Sequence, residues 1–200
     1  TGYYNYDEGF TPDFPGTERF AGQIVHPQHW PEDLDYTGKK VVVIGSGATA
    51  VTLVPSMAER AEHVTMLQRT PTYVVPLPRE DPAANLLMKV LGDKRGFKLA
   101  RTKNIARQRA LYEVSQRIPA VVRRVIRWIS KTRLPKDFDV DVHFNPPYKP
   151  WDQRMCAVPD SDLFASISER KASVVTAQIS TFTERGILLE TGEELAADII

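Results

Sequence analysis

Gly45, Gly47 and Ala50 are the first residues here whose types and spacing could do chemistry, in the run Gly45-Ser46-Gly47-Ala48-Thr49-Ala50-Val51. The run follows a β-branched segment, 39–44, and opens a stretch that reads as a helix. In that setting the first glycine permits a tight turn, and the second lets backbone approach a pyrophosphate with no Cβ between them. The small third residue lets helix and strand pack closely, while the free N–H groups of the helix start receive phosphate. The seven residues therefore form a candidate dinucleotide site, with a plain tight turn as the alternative. The end of the next strand selects the dinucleotide. An NAD site places Asp or Glu there, about 20 residues on, to hold the ribose 2′-hydroxyl. This chain places Gln68-Arg69-Thr70 there, with Arg69 standing 22 residues after Gly47. A guanidinium grips a 2′-phosphate through paired charge-assisted bonds, and no acid stands beside it to repel one. Arg69, with a hydroxyl contact from Thr70, points to NADPH; a solvated surface arginine is the alternative.

Just before the first strand lies Phe20-Ala-Gly22-Gln-Ile-Val-His26-Pro-Gln-His-Trp30-Pro31. It resembles the F-x-G-x-x-x-H-x-x-x-W-P fingerprint of type I Baeyer–Villiger monooxygenases. Phe20, Gly22, His26, Trp30 and Pro31 match every specified position. Trp30 favours this branch over related flavin-containing monooxygenases, which usually carry another residue there. Downstream, Pro150-Trp-Asp-Gln-Arg154-Met-Cys and Pro159-Asp-Ser-Asp-Leu-Phe164 resemble the family segment after the helical insertion of the nicotinamide domain. The resemblance implies an α/β fold: a Rossmann-like NADP-binding domain with a helical insertion, part of a flavoprotein with two dinucleotide domains. It implies FAD and NADPH as cofactors and O2 as co-substrate. The reaction it implies inserts one oxygen into a ketone or oxidises a soft heteroatom such as sulfur. Arg154 takes the family's catalytic position, where a guanidinium that stays protonated stabilises negative charge during oxygen transfer. An ion pair of Arg154 with Asp152 or Asp160 is the alternative. His26 is expected to act conformationally in the connection entering the nicotinamide domain, and His29 to be a packed loop histidine. The Gly-x-Gly-x-x-Gly turn that would bind FAD is missing, so little of the FAD site is expected in these residues. Two rival readings remain: an N/S-monooxygenase without Baeyer–Villiger activity, and a plain NAD(P)-linked reductase. A Tyr-x-x-x-Lys pair would mark the reductase, and Tyr73, Tyr112 and Tyr148 have no lysine four residues on.

The elements that must position these residues begin with a strand at 39–44, a helix from Ala48 to about Arg60 and a strand at 64–68. Together they make one βαβ unit, and the first strand, apolar on both faces, has the look of a buried parallel strand. Ahead of it, 1–36 holds Tyr3, Tyr4, Tyr6, Phe10, Phe14, Phe20 and Trp30, with prolines at 12, 15, 27 and 31. Proline blocks helix interior and central strand, so this segment reads as an ordered connection. From 83 to 134 the pattern is helical, with Val121, Val122, Val125, Ile126 and Ile129 on one stripe. An irregular stretch follows over 135–159, then a short helix over 162–168. Strands are expected at 173–176, 179–183 and 187–190, with a turn at Arg185-Gly186. By domain, 1–36 is the fingerprint linker from an FAD domain and 37–82 the first part of the NADP domain. Residues 83–135 are its basic helical insertion, and 136–200 the return segment with the remaining strands. The chain opens at Thr1 and closes on Glu194-Leu-Ala-Ala-Asp-Ile-Ile200, like a strand cut before its loop. A fragment of a longer protein is therefore expected.

Composition excludes several classes. With 200 residues, 42% hydrophobic and 26% charged, the chain has the makings of a core and no sign of bulk disorder. No apolar run approaches the roughly 20 residues that span a bilayer, and no signal-peptide pattern is present. The single cysteine, Cys156, excludes an internal disulfide framework. With only four scattered histidines beside it, no metal site is expected. The net charge of +1 hides an asymmetry: between Lys94 and Lys136 stand 14 basic residues and one acid, Glu113. Helices that basic suit an anionic lipid surface. Aromatic residues for base stacking are sparse there, so no nucleic-acid partner is expected. Packing of the Val121–Ile129 stripe on the core is favoured over weak membrane-surface contact through 94–136. The expected location is cytoplasmic, with a peripheral membrane position as the weaker reading.

Overall fold

The computed structural model describes residues 9–200. Tyr3, Tyr4 and Tyr6 of the expected aromatic connection lie outside the described residues. In chain order the elements are β1 (Lys40–Ile44), α1 (Ala48–Met57), β2 (His63–Gln68), β3 (Tyr73–Leu77), α2 (Pro82–Leu91), α3 (Asp93–Arg117) and α4 (Pro119–Arg133). Then come α5 (Val140–His143), β4 (Met155–Pro159), α6 (Asp162–Ser168), β5 (Ala172–Thr176), β6 (Ile179–Thr183), β7 (Gly186–Leu189) and β8 (Glu194–Ala196). They form two compact units: the chain through Pro71 with Leu163–Ile200, and Thr72–Asp162.

The first unit is built on a parallel sheet of order β1-β2-β5, with Val42 opposite Thr65 and Met66 opposite Val174. Val41, Val42, Val64, Met66, Leu67 and Val174 are all buried, as a sheet covered on both faces requires. α1 covers it with Ala50, Val51, Val54 and Met57. The helix stops at Met57, short of the expected Arg60, and Pro55 in its last turn contributes no N–H. Strands β6, β7 and β8 form an antiparallel meander. Its Phe182, Ile187, Leu189 and Leu195 share one core with Phe20, Val42 and Leu67. The closing apolar run is split: β8 ends at Ala196, then Ile199 bridges Val41 and Gln23 in parallel. Val42 N donates to Ile199 O at 2.9 Å, and Val25 N to Ile200 O at 2.8 Å.

The second unit holds a two-stranded parallel pair, β3 with β4, Tyr73 opposite Met155 and Leu77 opposite Pro159. Sequence reading leaves 155–159 irregular and assigns 73–77 no strand. Pro76 and Pro159 disguise them, and a pair made only of edges tolerates both. The helical stretch is three helices. Asp81 caps α2 by accepting from Ala84 N at 3.1 Å, and Pro82 takes the first helical position. The same carboxylate receives Lys103 Nζ at 2.7 Å and Asn104 Nδ2 at 3.0 Å, which fastens α2 to α3. α4 packs on β3 and buries Ile126 and Ser130. The apolar stripe does not bury as a whole: Val121 and Val125 stay 49% and 47% exposed. α4 meets α3 and α5 as well as β3, and these neighbours leave the Val121 and Val125 positions uncovered. Among the described residues no helix is long and apolar enough to cross a membrane.

Candidate functional site

Beyond Ile44 the chain turns into α1 through Gly45, Ser46 and Gly47. Gly45 has a φ of 123°, a sector L side chains rarely adopt, and the place of its absent Cβ faces open space. Its N–H donates to Leu67 O at 2.7 Å, carrying the β1–β2 ladder into the turn. Ser46 is buried, and its Oγ donates to Thr70 O at 3.4 Å, tying the turn to the end of β2. Gly47 caps α1 in extended conformation, and no side chain satisfies the first N–H groups of the helix. Ala48 and Thr49 are exposed, whereas Ala50 and Val51 are buried and bring the helix close to the sheet. The result is a helix start whose backbone donors and partial positive charge face solvent, suited to an anion.

Arg69 and Thr70 leave β2 at the same edge of the sheet, both exposed. Among the described residues Arg69 forms no side-chain hydrogen bond or ion pair. Beneath it Gln68 is 1% exposed and donates Nε2 to Thr176 Oγ1 at 2.9 Å. Ala177 N bonds Gln68 O at 3.0 Å, so the end of β2 is locked to the end of β5. Sequence reading gives Gln68 no role of its own; a buried amide at a strand end carries no motif. The donor set fits a phosphorylated dinucleotide: N–H groups for a pyrophosphate and an unpaired guanidinium for a further phosphate. Among the described residues no second glycine-rich strand–helix turn is present that would seat FAD.

The fingerprint residues share the first unit but act on its framework. Phe20 is buried edge-on against Phe182, ring centroids 6.4 Å apart. Gly22 is where two backbones meet: a Cβ there would collide with the Asp198 carbonyl oxygen and lie 2.5 Å from Phe20 Cζ. His26 accepts from Gln28 N on Nδ1 at 3.2 Å and so caps the 3₁₀ turn Pro27–His29. Trp30 lies edge-on to Tyr36 at 6.4 Å, and the Arg60 guanidinium sits 5.1 Å over that Tyr36 ring. Pro31 O accepts from Leu34 N at 3.2 Å. His26 and Trp30 help line a cavity of about 270 Å³ with Leu34, Ile44, Met57 and Ile199. Among the described residues no Asp, Glu, Lys or Arg lines it, and His26 is the acid–base group there. His29 is exposed on the 3₁₀ turn, not packed as expected, with its ring 5.9 Å from that of His26.

Arg154 belongs to the second unit, in the exposed segment leading into β4. It makes no ion pair with Asp152 or Asp160 among the described residues; Asp160 instead accepts from Arg79 N at 3.0 Å. Burial pushes the Tyr148 hydroxyl and the Cys156 thiol up from their ordinary values, and the Arg154 charge opposes both shifts. Tyr73 donates its hydroxyl to Tyr148 O at 2.7 Å, the two rings edge-on at 5.5 Å. These tyrosines stiffen the neighbourhood of Arg154, a role with no local sequence signal.

All of residues 1–200 match the flavin-binding monooxygenase-like family. The chain belongs to that family. Within the curated proteins, MymA of Mycobacterium tuberculosis is 56% identical over 204 residues, 100% of this chain and 41% of that protein. The FAD-containing monooxygenase EthA of Mycolicibacterium smegmatis is 55% identical over 201 residues, again 100% of this chain and 41% of that protein. This flavin-binding monooxygenase-like chain thus spans about two fifths of the length of the curated relatives it matches. Among solved structures, a steroid monooxygenase bound to NADP aligns with a TM-score of 0.71 at 21% identity, over 96% of this chain and 43% of that one. Cyclohexanone monooxygenase in its open form gives 0.71 at 21% identity, over 94% of this chain and 44% of that one. At such identity the likeness establishes the fold, α/β and Rossmann-like, as the sequence led us to expect.

Proposed function

We propose that this chain is the NADPH-binding part of an FAD-dependent monooxygenase of the Baeyer–Villiger type. The whole enzyme uses NADPH and O2 to insert one oxygen into a ketone or to oxidise a sulfide. One observation carries the reading: the complete fingerprint of Phe20, Gly22, His26, Trp30 and Pro31 leads directly into a strand–turn–helix with an uncapped helix start. On this reading the N–H groups of Ala48, Thr49 and Ala50 hold the pyrophosphate, and Arg69 with Thr70 holds the 2′-phosphate. FAD, when bound, supplies the redox and oxygen chemistry; this chain contributes no glycine turn for it. Arg154 offers its planar donors to negative charge that develops during oxygen transfer, and its freedom from Asp152 and Asp160 supports that role. His26 holds the geometry of the connection while the cofactor changes position between half-reactions. The single cysteine, Cys156, and the need for NADPH accord with a cytoplasmic site.

The test uses the full-length protein, scanned for bound flavin and assayed for NADPH-dependent O2 uptake with a panel of ketones and sulfides. Bound flavin, preference for NADPH over NADH, and ester formation are expected. Sulfoxide without ester selects the heteroatom-oxidising reading. A colourless protein that reduces a carbonyl without consuming O2 overturns the proposal in favour of a plain reductase.

A further inference from the structure

In α4 the residues Val121, Arg124, Val125 and Trp128 recur at three- and four-residue spacing, so they share one helix face. That face is exposed, Trp128 most of all at 64%, while Ile126 and Ser130 on the other side are buried. The stripe is apolar apart from Arg124 and ends on the tryptophan; α3 exposes further apolar side chains, Phe97 at 61% and Ile105 at 55%. The α4 stripe belongs to the most basic stretch of the chain, 94–136, with Glu113 its single acid. Some of those cations are spoken for: Lys103 by Asp81, Arg117 by Glu113, Arg127 and Lys131 by Asp141. Others are exposed with no side-chain hydrogen bond or ion pair among the described residues, namely Lys94, Lys98, Arg101, Arg107, Arg109 and Arg124.

We propose that α4 docks the protein on an anionic lipid surface. Val121, Val125 and Trp128 enter the headgroup boundary, and the unpaired cations hold the phosphates around them. Charge complementarity selects this occupant. A second copy would bring the same cations together and repel itself, and a neutral apolar partner would leave them without counter-charge. An anionic bilayer neutralises them and also accepts an indole at its interface. The association needs no spanning helix.

Flotation of the full-length protein with vesicles tests it, since neither NADPH nor flavin turnover enters the readout. The protein is expected to float with mixed phosphatidylglycerol–phosphatidylcholine vesicles and not with phosphatidylcholine alone. Salt should release it as the screening length falls from about 10 Å at 0.1 M to about 3 Å at 1 M. Trp128→Ser should weaken binding about tenfold or more, and Arg107→Glu with Arg109→Glu at least as much. Emission from Trp128 should shift to the blue on the anionic vesicles, and the shift should vanish in Trp128→Phe. Retained NADPH oxidation in these variants verifies that they fold. No flotation at low salt overturns the proposal, as does equal binding to neutral vesicles or binding untouched by either variant. So does a dimer that Trp128→Ser disperses, or retention by duplex DNA without flotation.

Discussion

Arg69 and Arg154 are both exposed arginines without an acid partner among the described residues, and opposite kinds of experiment distinguish their roles. On the proposed reading Arg69 holds a 2′-phosphate, and a hydrogen-bonded charged contact of this kind contributes about 1.5–3 kcal/mol. Arg69→Ala should therefore raise the KM for NADPH roughly 10- to 100-fold and leave that for NADH nearly unchanged. Steady-state kinetics with both coenzymes decides; an equal rise in the two makes Arg69 structural. Arg154 is asked to act only where negative charge develops. Arg154→Ala should keep NADPH oxidation and lose oxygenated product by about 10²–10³ in rate, with hydrogen peroxide released instead. Arg154→Lys should recover little, because a point charge on a flexible stem cannot reproduce a planar fork. Product analysis beside a peroxide assay checks both. Near-normal ester formation by Arg154→Ala would remove Arg154 from catalysis.

Between residue and fold stand the connections, and here the fingerprint turns out to be framework. Phe20 fills the core under the meander, Gly22 lets the chain pass against Asp198, and His26 caps a turn. Gln23 N donates to Asp198 O at 3.1 Å, and Lys40 N donates to Asp198 Oδ2 at 2.8 Å, so both bonds depend on that passage. Gly22→Ala should force the two backbones apart and destabilise the protein by about 1–3 kcal/mol, the usual range for overpacking. Urea unfolding of the full-length variant measures it. A midpoint equal to wild type would mean the passage yields without cost. The damage should appear as lost stability and slower turnover, with the affinity of the phosphate site little changed, because Gly45 and Arg69 lie on other segments.

For the whole molecule the governing feature is where charge is held in place. The acids that fasten the basic helices are few: Asp81 for Lys103, and Asp141 for Arg127 and Lys131. The Arg127 guanidinium, with Lys131 beside it, holds the Asp141 carboxyl down to about 2. Asp81 is likewise held well below the usual carboxylate range, chiefly by Lys103 and then Asn104. A carboxyl lowered on folding binds fewer protons folded than unfolded between the two values, so stability rises with pH there. The contribution of Asp141 is complete above about pH 4, the unfolded value, and is lost as pH falls through about 2. Asp141→Asn should flatten the acid limb of a stability–pH profile in that window and leave the neutral region with a lower plateau. A limb as steep as wild type would show that Asp141 holds nothing.

What the sequence determined by itself was local. A β-branched run, two glycines and a small residue specify strand, turn and helix start without reference to distant partners, so β1, α1, β2 and the glycine turn were legible. The fingerprint was legible too, as a pattern; that Gly22 serves a backbone crossing at Asp198 was not, because the partner is far along the chain. Only the tertiary structure decided that Tyr73–Leu77 and Met155–Pro159 are strands, since each exists through pairing with the other and each carries a proline that argues against it. It also decided which side of α4 is buried. Periodicity places Val121, Val125 and Ile126 on neighbouring positions, but β3, α3 and α5 leave part of the helix uncovered, and burial follows the covering elements. The physical reason is the same throughout. Backbone conformation is chosen within a few residues, whereas burial and long-range pairing depend on surfaces that meet only once the chain has folded.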